Sequence, residues 1–130
     1  MKSGLRDERR VARERGGRRA EYVAAALLML HGYRILARRY RTPYGELDLI
    51  GLRGRRLAFV EVKLRRTRAD GDIALEAVQH QRIYNAAEHW LKRHPALAEH
   101  ELGFDAIIVL PWTWPILLTD ALMPVGYGRE

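Results

Sequence analysis

The sequence predicts an α/β fold in which helices pack against a mixed β-sheet, and three observations lead to this class. Short segments rich in Val, Ile, Tyr and Phe, bounded by turn residues, indicate strands at residues 33–40, 46–52, 57–65 and 104–110. Longer segments with apolar residues at helical spacing indicate helices at residues 18–31 and 73–93. The order is helix, three strands, helix and strand, and residues 116–119 add a fifth strand or a short terminal segment.

The length of 130 residues suits one domain with a single core. We expect that domain at residues 18–122, between a flexible basic N-terminal arm at residues 1–17 and a flexible tail at residues 123–130. The chain has no cysteine, which favours a reducing compartment, and no apolar run approaches the roughly 18 residues that cross a bilayer. These features predict a cytoplasmic protein without a membrane partner.

The charge of the chain predicts an anionic partner. The formal net charge is +7, and nucleic acids favour basic proteins because binding releases counterions. Arginine supplies 20 of the 23 basic residues, and its guanidinium group makes bidentate contacts to phosphate that lysine cannot make. A genome rich in G and C explains an arginine excess equally well, so the arginine content alone does not identify the partner.

The first helix and the first strand are separated by a glycine. The apolar residues that predict the helix by their spacing are Tyr22, Ala25, Ala26, Met29 and Leu30. Gly32 is the expected stop, because glycine readily adopts the left-handed conformation that ends many helices. The strand at residues 33–40 then leads into a turn at residues 41–45, "RTPYG".

The next two strands form a hairpin, "GELDLIGLRGRRLAFVEVK" at residues 45–63, with charges in both arms. Alternation places Glu46 and Asp48 on one face of the first arm and the neighbouring leucines on the other. A turn centred on Gly54 and Arg55 pairs residues whose numbers sum to 109. This register sets Asp48 opposite Glu61 and Glu46 opposite Lys63.

The second half of the chain contains the long helix and the last strands. A polar loop at residues 66–72 leads into the helix, which stops before Pro95. The loop "PWTWP" at residues 111–115 follows the next strand, and we expect Trp112 and Trp114 to cover the edge of the core, with stacking on nucleobases as the alternative. The five histidines form no close ligand pair, which favours surface or helix-end roles.

In the predicted hairpin register, the carboxylates of Asp48 and Glu61 lie directly across the ladder and repel each other unless a positive group lies between them. A hard divalent cation, Mg²⁺ or Mn²⁺, suits this position because it binds carboxylate and water oxygens. Lys63 beside it could position or activate a water molecule, and this combination suits hydrolysis of a phosphodiester. The alternative is a solvated outer face on which Glu46 pairs with Lys63 and Arg53 lies near either carboxylate.

The acidic residue Asp48, the short hairpin and "EVK" at residues 61–63 resemble the motif of the PD-(D/E)xK nuclease superfamily. A fuller resemblance, in order over roughly residues 18–120, is to the YraN-like uncharacterised bacterial family. It is carried by "RRAEYVAAALLMLHGYRILARRYRTPYGELDLI", "LAFVEVKLR", "AVQHQRIYNAAEHWL" and "GFDAIIV". The resemblance implies a restriction-endonuclease-like three-layer sandwich, with a central mixed sheet of four to five strands in the order αβββαββ, similar to archaeal Holliday-junction resolvases.

The resemblance also implies a site. Asp48 and Glu61 match the metal carboxylates, Lys63 matches the catalytic lysine, Glu46 supports the metal or Lys63, and Glu21 matches an acidic residue of the first helix that reaches the metal shell. The residues expected to contact nucleic acid are Arg65, Arg66 and Arg68 after the second hairpin strand, and Gln79, Gln81 or Arg82, where many family members carry a lysine.

Three functions remain open from the sequence. The first is a Mg²⁺- or Mn²⁺-dependent nuclease that acts on DNA, including branched or damaged DNA, with RNA as an alternative substrate. The second is a nucleic-acid-binding protein of the same fold with little or no catalysis, which works with DNA-processing partners. The third is a scaffold whose basic surface meets an acidic protein. A homodimer is a further expectation, since junction resolvases act as pairs.

Overall fold

The structure, a computed structural model, describes residues 17–66 and 77–122, with side chains in the second range from residue 80 onward. The predicted tail and all but the last residue of the predicted arm lie outside these ranges. Arg68, most of the predicted polar loop and the predicted start of the long helix lie outside them too, as does the side chain of Gln79.

The order of elements is the predicted order αβββαββ. Helix α1 covers residues 17–30 of the described chain, and it is followed by β1 (Arg34–Thr42), β2 (Gly45–Arg53), β3 (Arg56–Leu64), α2 (Ala77–Lys92), a 3₁₀ turn (Pro95–Leu97), β4 (Glu101–Val109) and β5 (Ile116–Leu118). Strand β4 begins three residues before its predicted start at residue 104, because its first residues pair with the start of β3.

The five strands form one mixed sheet in the order β1-β2-β3-β4-β5. Strands β1, β2 and β3 are antiparallel, β3 and β4 are parallel, and β4 and β5 are antiparallel. The parallel pair requires a crossover, which contains α2. One helix packs on each face, so the molecule has the three layers that the family resemblance implied. The same end of the sheet holds the start of β2, the end of β3 and the end of β4.

Of the five residues whose spacing predicted helix α1, only Ala25 lies on the face that is buried. The residues that pack against the sheet are Ala20, Ala24, Ala25, Leu27 and Leu28, and they meet Leu49, Val60 and Ile107 in what we call the α1-side core. Tyr22, Met29 and Leu30 point outward and are exposed. The helix is apolar on both sides, so spacing alone could not identify the buried one. In the described residues no helix is both long and apolar enough to span a membrane.

Helix α2 packs on the opposite face and forms the α2-side core. Its residues Ile83, Ala86, Ala87 and Trp90 lie against Leu47, Ile50, Phe59 and Phe104. The rings of Phe59 and Phe104 stack with centroids 5.6 Å apart, and Trp90 meets Phe59 edge-on at 5.9 Å. Aromatic pairs of this kind hold helix and sheet in one relative position, because their preferred geometries restrict sliding.

An ionic cluster lies at the end of the sheet where β3 begins. The guanidinium group of Arg56 donates two hydrogen bonds to Asp105 at 2.7 and 2.8 Å, and further ones to Tyr33 and Asp120. The Asp105 hydrogen bonds raise the pKa of Arg56, which therefore stays charged although it is largely enclosed. A side chain at Gly103 would collide with this guanidinium group. Asp105, for which the sequence suggested no role, is thus part of a buried structural ion pair.

The loop between β4 and β5 does not cover the core, contrary to the prediction from its sequence. Trp112 is 97% exposed and Trp114 is 68% exposed. The two core clusters contain residues of β4, β5 and α1 but neither tryptophan. Trp114 lines an open groove of 420 Å³ together with Leu27 of α1 and His31, which directly follows the helix.

Candidate metal-binding site

The hairpin of β2 and β3 has the predicted register over five pairs. They run from Arg53–Arg56 next to the turn to Leu49–Val60, and the turn is at Gly54 and Arg55 as expected. The ladder ends there, so the predicted pairs Asp48–Glu61 and Glu46–Lys63 do not form. The backbone N–H of Val62 instead donates a hydrogen bond of 2.8 Å to Oδ2 of Asp48. The carboxylate has replaced a strand carbonyl as the acceptor.

The predicted alternation also fails at Asp48. Leu47 packs in the α2-side core and Leu49 in the α1-side core, whereas residues two apart in a regular strand share a face. Strand β1 shows the same change, because Ala37 and Tyr40, three residues apart, both pack against the α2-side core. The ladder between β1 and β2 also has a register shift earlier, between Ile35 and Ala37, and pairs Arg38 with Leu49 and Tyr40 with Leu47 after it. Arg39 has a φ angle of +52°, which is uncommon outside glycine. Both strands therefore change face at the same point.

Three carboxylates converge at this irregularity. Glu21 of α1, Glu46 of β2 and Asp48 of β2 each offer one oxygen, and these oxygens all lie within 4.8 Å of one another. We call them the carboxylate cluster. All three residues are partly buried. The change of face in β2 brings Asp48 to the helix side, which is how a residue of α1 and two residues of the sheet reach one position.

Glu61 lies beside this cluster and is 7% exposed. Its Oε1 atom forms an ion pair with Nζ of Lys63 at 2.9 Å and lies 3.6 Å from Nη2 of Arg82. Its Oε2 atom is buried and accepts no hydrogen bond in the described structure. Lys63 thus contacts Glu61 where Glu46 was predicted, and Glu46 lies 3.7 Å from Arg41.

The negative charges around the cluster affect the pKa of Asp48. Burial raises the pKa of Asp48 to about 6, and the hydrogen bond from Val62 opposes this rise. The negative charges of Glu61, Glu21 and Glu46 each raise it further. Carboxylates whose charges disfavour the ionisation of Asp48 form an arrangement that a cation would stabilise.

The residues fit a hard divalent cation. The carboxylate cluster supplies three candidate oxygen ligands within 4.8 Å of one another, and the buried Oε2 atom of Glu61 adds an acceptor without a hydrogen bond. One guanidinium group already balances part of the charge, because Arg39 forms an ion pair with Glu21. Among the described residues, Glu21, Glu46 and Asp48 are the group of metal-ligating side chains that converges, and no histidine belongs to it.

The residues predicted to contact nucleic acid have varied surroundings. Arg66 is exposed, and Arg65 is half-buried, with its guanidinium group hydrogen-bonded to the Leu64 carbonyl. Gln81 is exposed and hydrogen-bonds Asn85, whereas Arg82 lies over Glu61 within the site. Arg68 and the side chain of Gln79 lie outside the described residues. Contact of these side chains with nucleic acid stays a prediction.

Sequence reasoning did not identify two residues next to the cluster. Arg39 contacts Glu21, and the guanidinium carbon of Arg38 lies 5.2 Å from the centre of the Tyr22 ring. In a regular strand these neighbours would point to opposite faces, so nothing in the spacing suggested that both would approach α1. The only signal was the adjacent pair of arginines at the end of the predicted strand.

Comparison with known proteins places this chain in a family. Residues 20–109 match the model described as "Uncharacterised protein family UPF0102". A UPF0102 protein of Mesorhizobium japonicum is 48% identical over 119 residues, which cover 89% of this chain and 90% of that protein. A UPF0102 protein of Bradyrhizobium sp. (strain ORS 278) is 54% identical over 106 residues, with 82% and 75% covered. One of Sinorhizobium medicae is 44% identical over 121 residues, with 93% and 99% covered. These matches confirm the resemblance to an uncharacterised bacterial family, and the chain belongs to family UPF0102.

Proposed function

We propose that this protein is a divalent-metal-dependent nuclease that hydrolyses phosphodiester bonds in DNA. The observation that carries the proposal is the convergence of Glu21, Glu46 and Asp48, with the Glu61–Lys63 ion pair beside them. The resemblance to the PD-(D/E)xK superfamily supports the same chemistry, because Asp48, Glu61 and Lys63 match its motif. The similarity to junction resolvases makes branched DNA the first substrate to test.

The carboxylate cluster would hold Mg²⁺ or Mn²⁺, with Glu61 accepting a hydrogen bond from a water of the ion or binding it directly. A bound ion of this kind lowers the pKa of water and stabilises negative charge on a phosphate. The protein's own part is to bring three carboxylates together before the ion arrives, which reduces the entropy lost on binding. The irregularity in β1 and β2 is the structural means by which it does so.

Lys63 acts on the water or the phosphate from the side of Glu61. Its Nζ atom is held 2.9 Å from Oε1 of Glu61, and the side chain is 15% exposed, so the ammonium group is oriented rather than freely solvated. An ammonium group has three donors and can hydrogen-bond a carboxylate and a phosphate oxygen together. We therefore assign Lys63 the positioning of the attacking water and the stabilisation of charge on the phosphate.

The experiment is a cleavage assay on duplex, single-stranded and branched DNA with Mg²⁺ or Mn²⁺. Asp48→Asn and Lys63→Ala should each lower the rate by at least roughly a hundredfold, as expected for loss of a metal ligand or an electrostatic contact. Asp120→Asn is the matched control, since Asp120 is an exposed carboxylate at the other end of the sheet. Equal trace activity in all four proteins would overturn the proposal.

A second candidate is a nucleic-acid-binding protein of this fold without catalysis. The observation in its favour is that Arg39 and Lys63 already form ion pairs with Glu21 and Glu61, which stabilise the acidic residues without a metal. This candidate predicts that the parent binds DNA, that metal changes its affinity little, and that Asp48→Asn binds as well as the parent. A metal-dependent cleavage that Asp48→Asn abolishes excludes it.

A further inference from the structure

A second candidate site adjoins the carboxylate cluster. A cavity of 310 Å³ between α1 and β1 is lined by Arg18, Glu21, Tyr22, Arg38 and Arg39, and we call it the arginine cavity. Glu21 belongs both to its wall and to the carboxylate cluster. A ligand in the cavity would therefore lie directly beside the metal-binding carboxylates.

The charge of the cavity suits an anion. Three arginines line it, and Glu21, the one acidic residue in the wall, is already paired with Arg39. The guanidinium group of Arg38 is held over the Tyr22 ring, which orients its donors and leaves the aromatic face partly covered by a cation. Guanidinium groups bind phosphate through several parallel hydrogen bonds, so a phosphate is the anion that this wall recognises best.

The backbone of Arg39 directs its side chain into the cavity. Its φ angle of +52° falls between Ala37 and Tyr40, which pack on the same face of the sheet although they are three residues apart. Such a conformation is unfavourable for a residue with a side chain and persists where surrounding structure enforces it. Here it allows two consecutive arginines to line the same cavity, which a regular strand would forbid.

We propose that the arginine cavity binds a phosphate group of the nucleic-acid strand next to the bond that is cut, and that Arg39 exchanges Glu21 for this phosphate. The inference rests on the proposed function for the identity of its ligand. When Arg39 turns to the phosphate, Glu21 loses its cationic partner and is available to the metal. Metal and nucleic acid then strengthen each other's binding by the same factor, as thermodynamic linkage requires.

The first test measures which phosphate is bound. The affinity for a short oligothymidylate is measured in the presence of EDTA. It is compared with the affinity for versions in which a single linkage is a neutral methylphosphonate, and for versions that carry or lack a 5′-phosphate. One neutral internal linkage should weaken binding to the parent roughly tenfold. Arg38→Ala should bind the fully charged strand roughly tenfold more weakly and no longer respond to that linkage. Sensitivity to the 5′-phosphate instead would identify a terminal phosphate as the ligand and overturn the assignment to an internal one.

The control for this test is Arg55→Ala, because Arg55 is exposed in the hairpin turn at the opposite end of the sheet. This variant should keep the parent's sensitivity to the neutral linkage. If Arg38→Ala and Arg39→Ala keep it as well, the arginine cavity does not bind a phosphate of the strand.

The second test measures the coupling. Mn²⁺ affinity is determined by calorimetry with and without the oligothymidylate, in a Lys63→Ala background, and gel electrophoresis verifies that the strand stays intact. The parent background should bind Mn²⁺ several-fold more tightly with the strand present, and Arg39→Ala should bind it tightly in both conditions. Undiminished coupling in Arg39→Ala contradicts the exchange. If Arg39→Ala does not fold, Arg39→Lys keeps the charge and the backbone demand while it loses the bidentate contact, and its coupling should still fall.

The two proposals fail separately. If the parent binds the strand through Arg38 and shows Arg39-dependent coupling but cuts no DNA, the proposal for the arginine cavity stands and the nuclease proposal fails. If Arg38→Ala and Arg39→Ala leave both the metal-dependent cleavage and the strand affinity unchanged, the nuclease proposal stands and the proposal for the arginine cavity fails.

Discussion

Asp48 is the residue at which the stability of the fold and the chemistry of the site oppose each other. Its carboxylate is enclosed and lies near three other carboxylates, while its one described hydrogen bond comes from a backbone amide. Ionised Asp48 is therefore a cost to the metal-free protein. The same charge is what a divalent cation requires, so the residue is best explained by binding.

The pH dependence of stability should show this cost. The pKa of Asp48 is raised from 3.8 to about 6, so the folded state binds the proton more tightly than the unfolded chain. The contribution of Asp48 to the free energy of unfolding should thus be largest below about pH 4 and fall by roughly 3 kcal/mol as the pH rises from about 4 to 6. Asp48→Asn keeps the oxygen that accepts from Val62 and should lack this fall.

The measurement is urea unfolding in EDTA at several pH values. The stability difference between Asp48→Asn and the parent should grow in favour of the variant between pH 4 and 6 and then level off. Added Mg²⁺ should stabilise only the parent, and more at pH 7.5 than at pH 5, because protons and metal compete for the same oxygen. A difference that does not depend on pH would show that Asp48 ionises normally.

Asp105 is the residue whose loss should most damage the fold outside the apolar core. It is 1% exposed and accepts three hydrogen bonds, two from Arg56 and one from the backbone of Asp120. Asp105→Ala leaves the Arg56 charge enclosed without its main partner, and we expect a loss of roughly 3–5 kcal/mol. Thermal and chemical unfolding would measure it.

Asp120→Asn is the control for this prediction. Asp120 is a half-exposed partner of the same guanidinium group, and removal of an exposed ion pair costs at most about 1 kcal/mol. Its φ angle of +56° is one that asparagine tolerates well. Equal losses in the two variants would mean that Arg56 does not depend on Asp105.

At the scale of elements, regular features followed from the sequence and irregular ones did not. The hairpin turn and five of its pairs were predictable, because the turn residues fix the register and the apolar residues alternate on both arms. The change of face at Arg39 and Asp48 was not predictable, because Arg39 adopts its positive φ angle without being a glycine. The three carboxylates that converge, Glu21, Glu46 and Asp48, were therefore among the residues named from the sequence, while their geometry was not predictable.

The buried side of helix α1 is a second feature that the sequence did not predict. Its position and its end near Gly32 were predictable from spacing, but the buried side was not, because Tyr22, Met29 and Leu30 are as apolar as the buried residues. Small alanines at the interface let the helix approach the sheet closely, and the larger side chains remain outside. Choosing the buried side requires the shape of the opposing sheet surface, which spacing does not contain.

Two leucines of α1 provide a test of this orientation. Leu28 is 0% exposed in the α1-side core, and Leu30 is 71% exposed on the outer side of the helix. Leu28→Ala should lower the free energy of unfolding by roughly 2–5 kcal/mol, and Leu30→Ala by less than about 0.5 kcal/mol. Urea titrations of both variants would decide it, and a larger loss for Leu30→Ala would mean that the outer side is covered in solution.

At the scale of the whole molecule, the sheet has two chemically different ends. The end where β3 finishes holds the carboxylate cluster, Lys63 and Arg66, and the end where β3 begins holds the Arg56–Asp105 ion pair. At the end where β3 begins, the charged groups are balanced by partners within the fold. At the end where β3 finishes, the fold balances the charges of the ionisable groups only partly. Binding is therefore expected at the end where β3 finishes.

Salt dependence of DNA affinity can locate that end. If DNA lies where β3 finishes, Arg66→Ala should reduce the slope of log affinity against log salt concentration by about one phosphate equivalent. Arg55→Ala, at the hairpin turn, should leave the slope unchanged. The opposite result would place the nucleic acid at the turn end of the sheet, away from Lys63.

The paired change of face in β1 and β2 also affects how the protein can evolve. Deleting one residue from either strand at that point would straighten that strand and leave its neighbour out of register. Two coordinated deletions would be needed to remove the irregularity, whereas one point substitution removes Glu21 or Asp48. Lineages that abandon the chemistry should therefore lose the acidic side chains first and inherit the bent backbone unchanged.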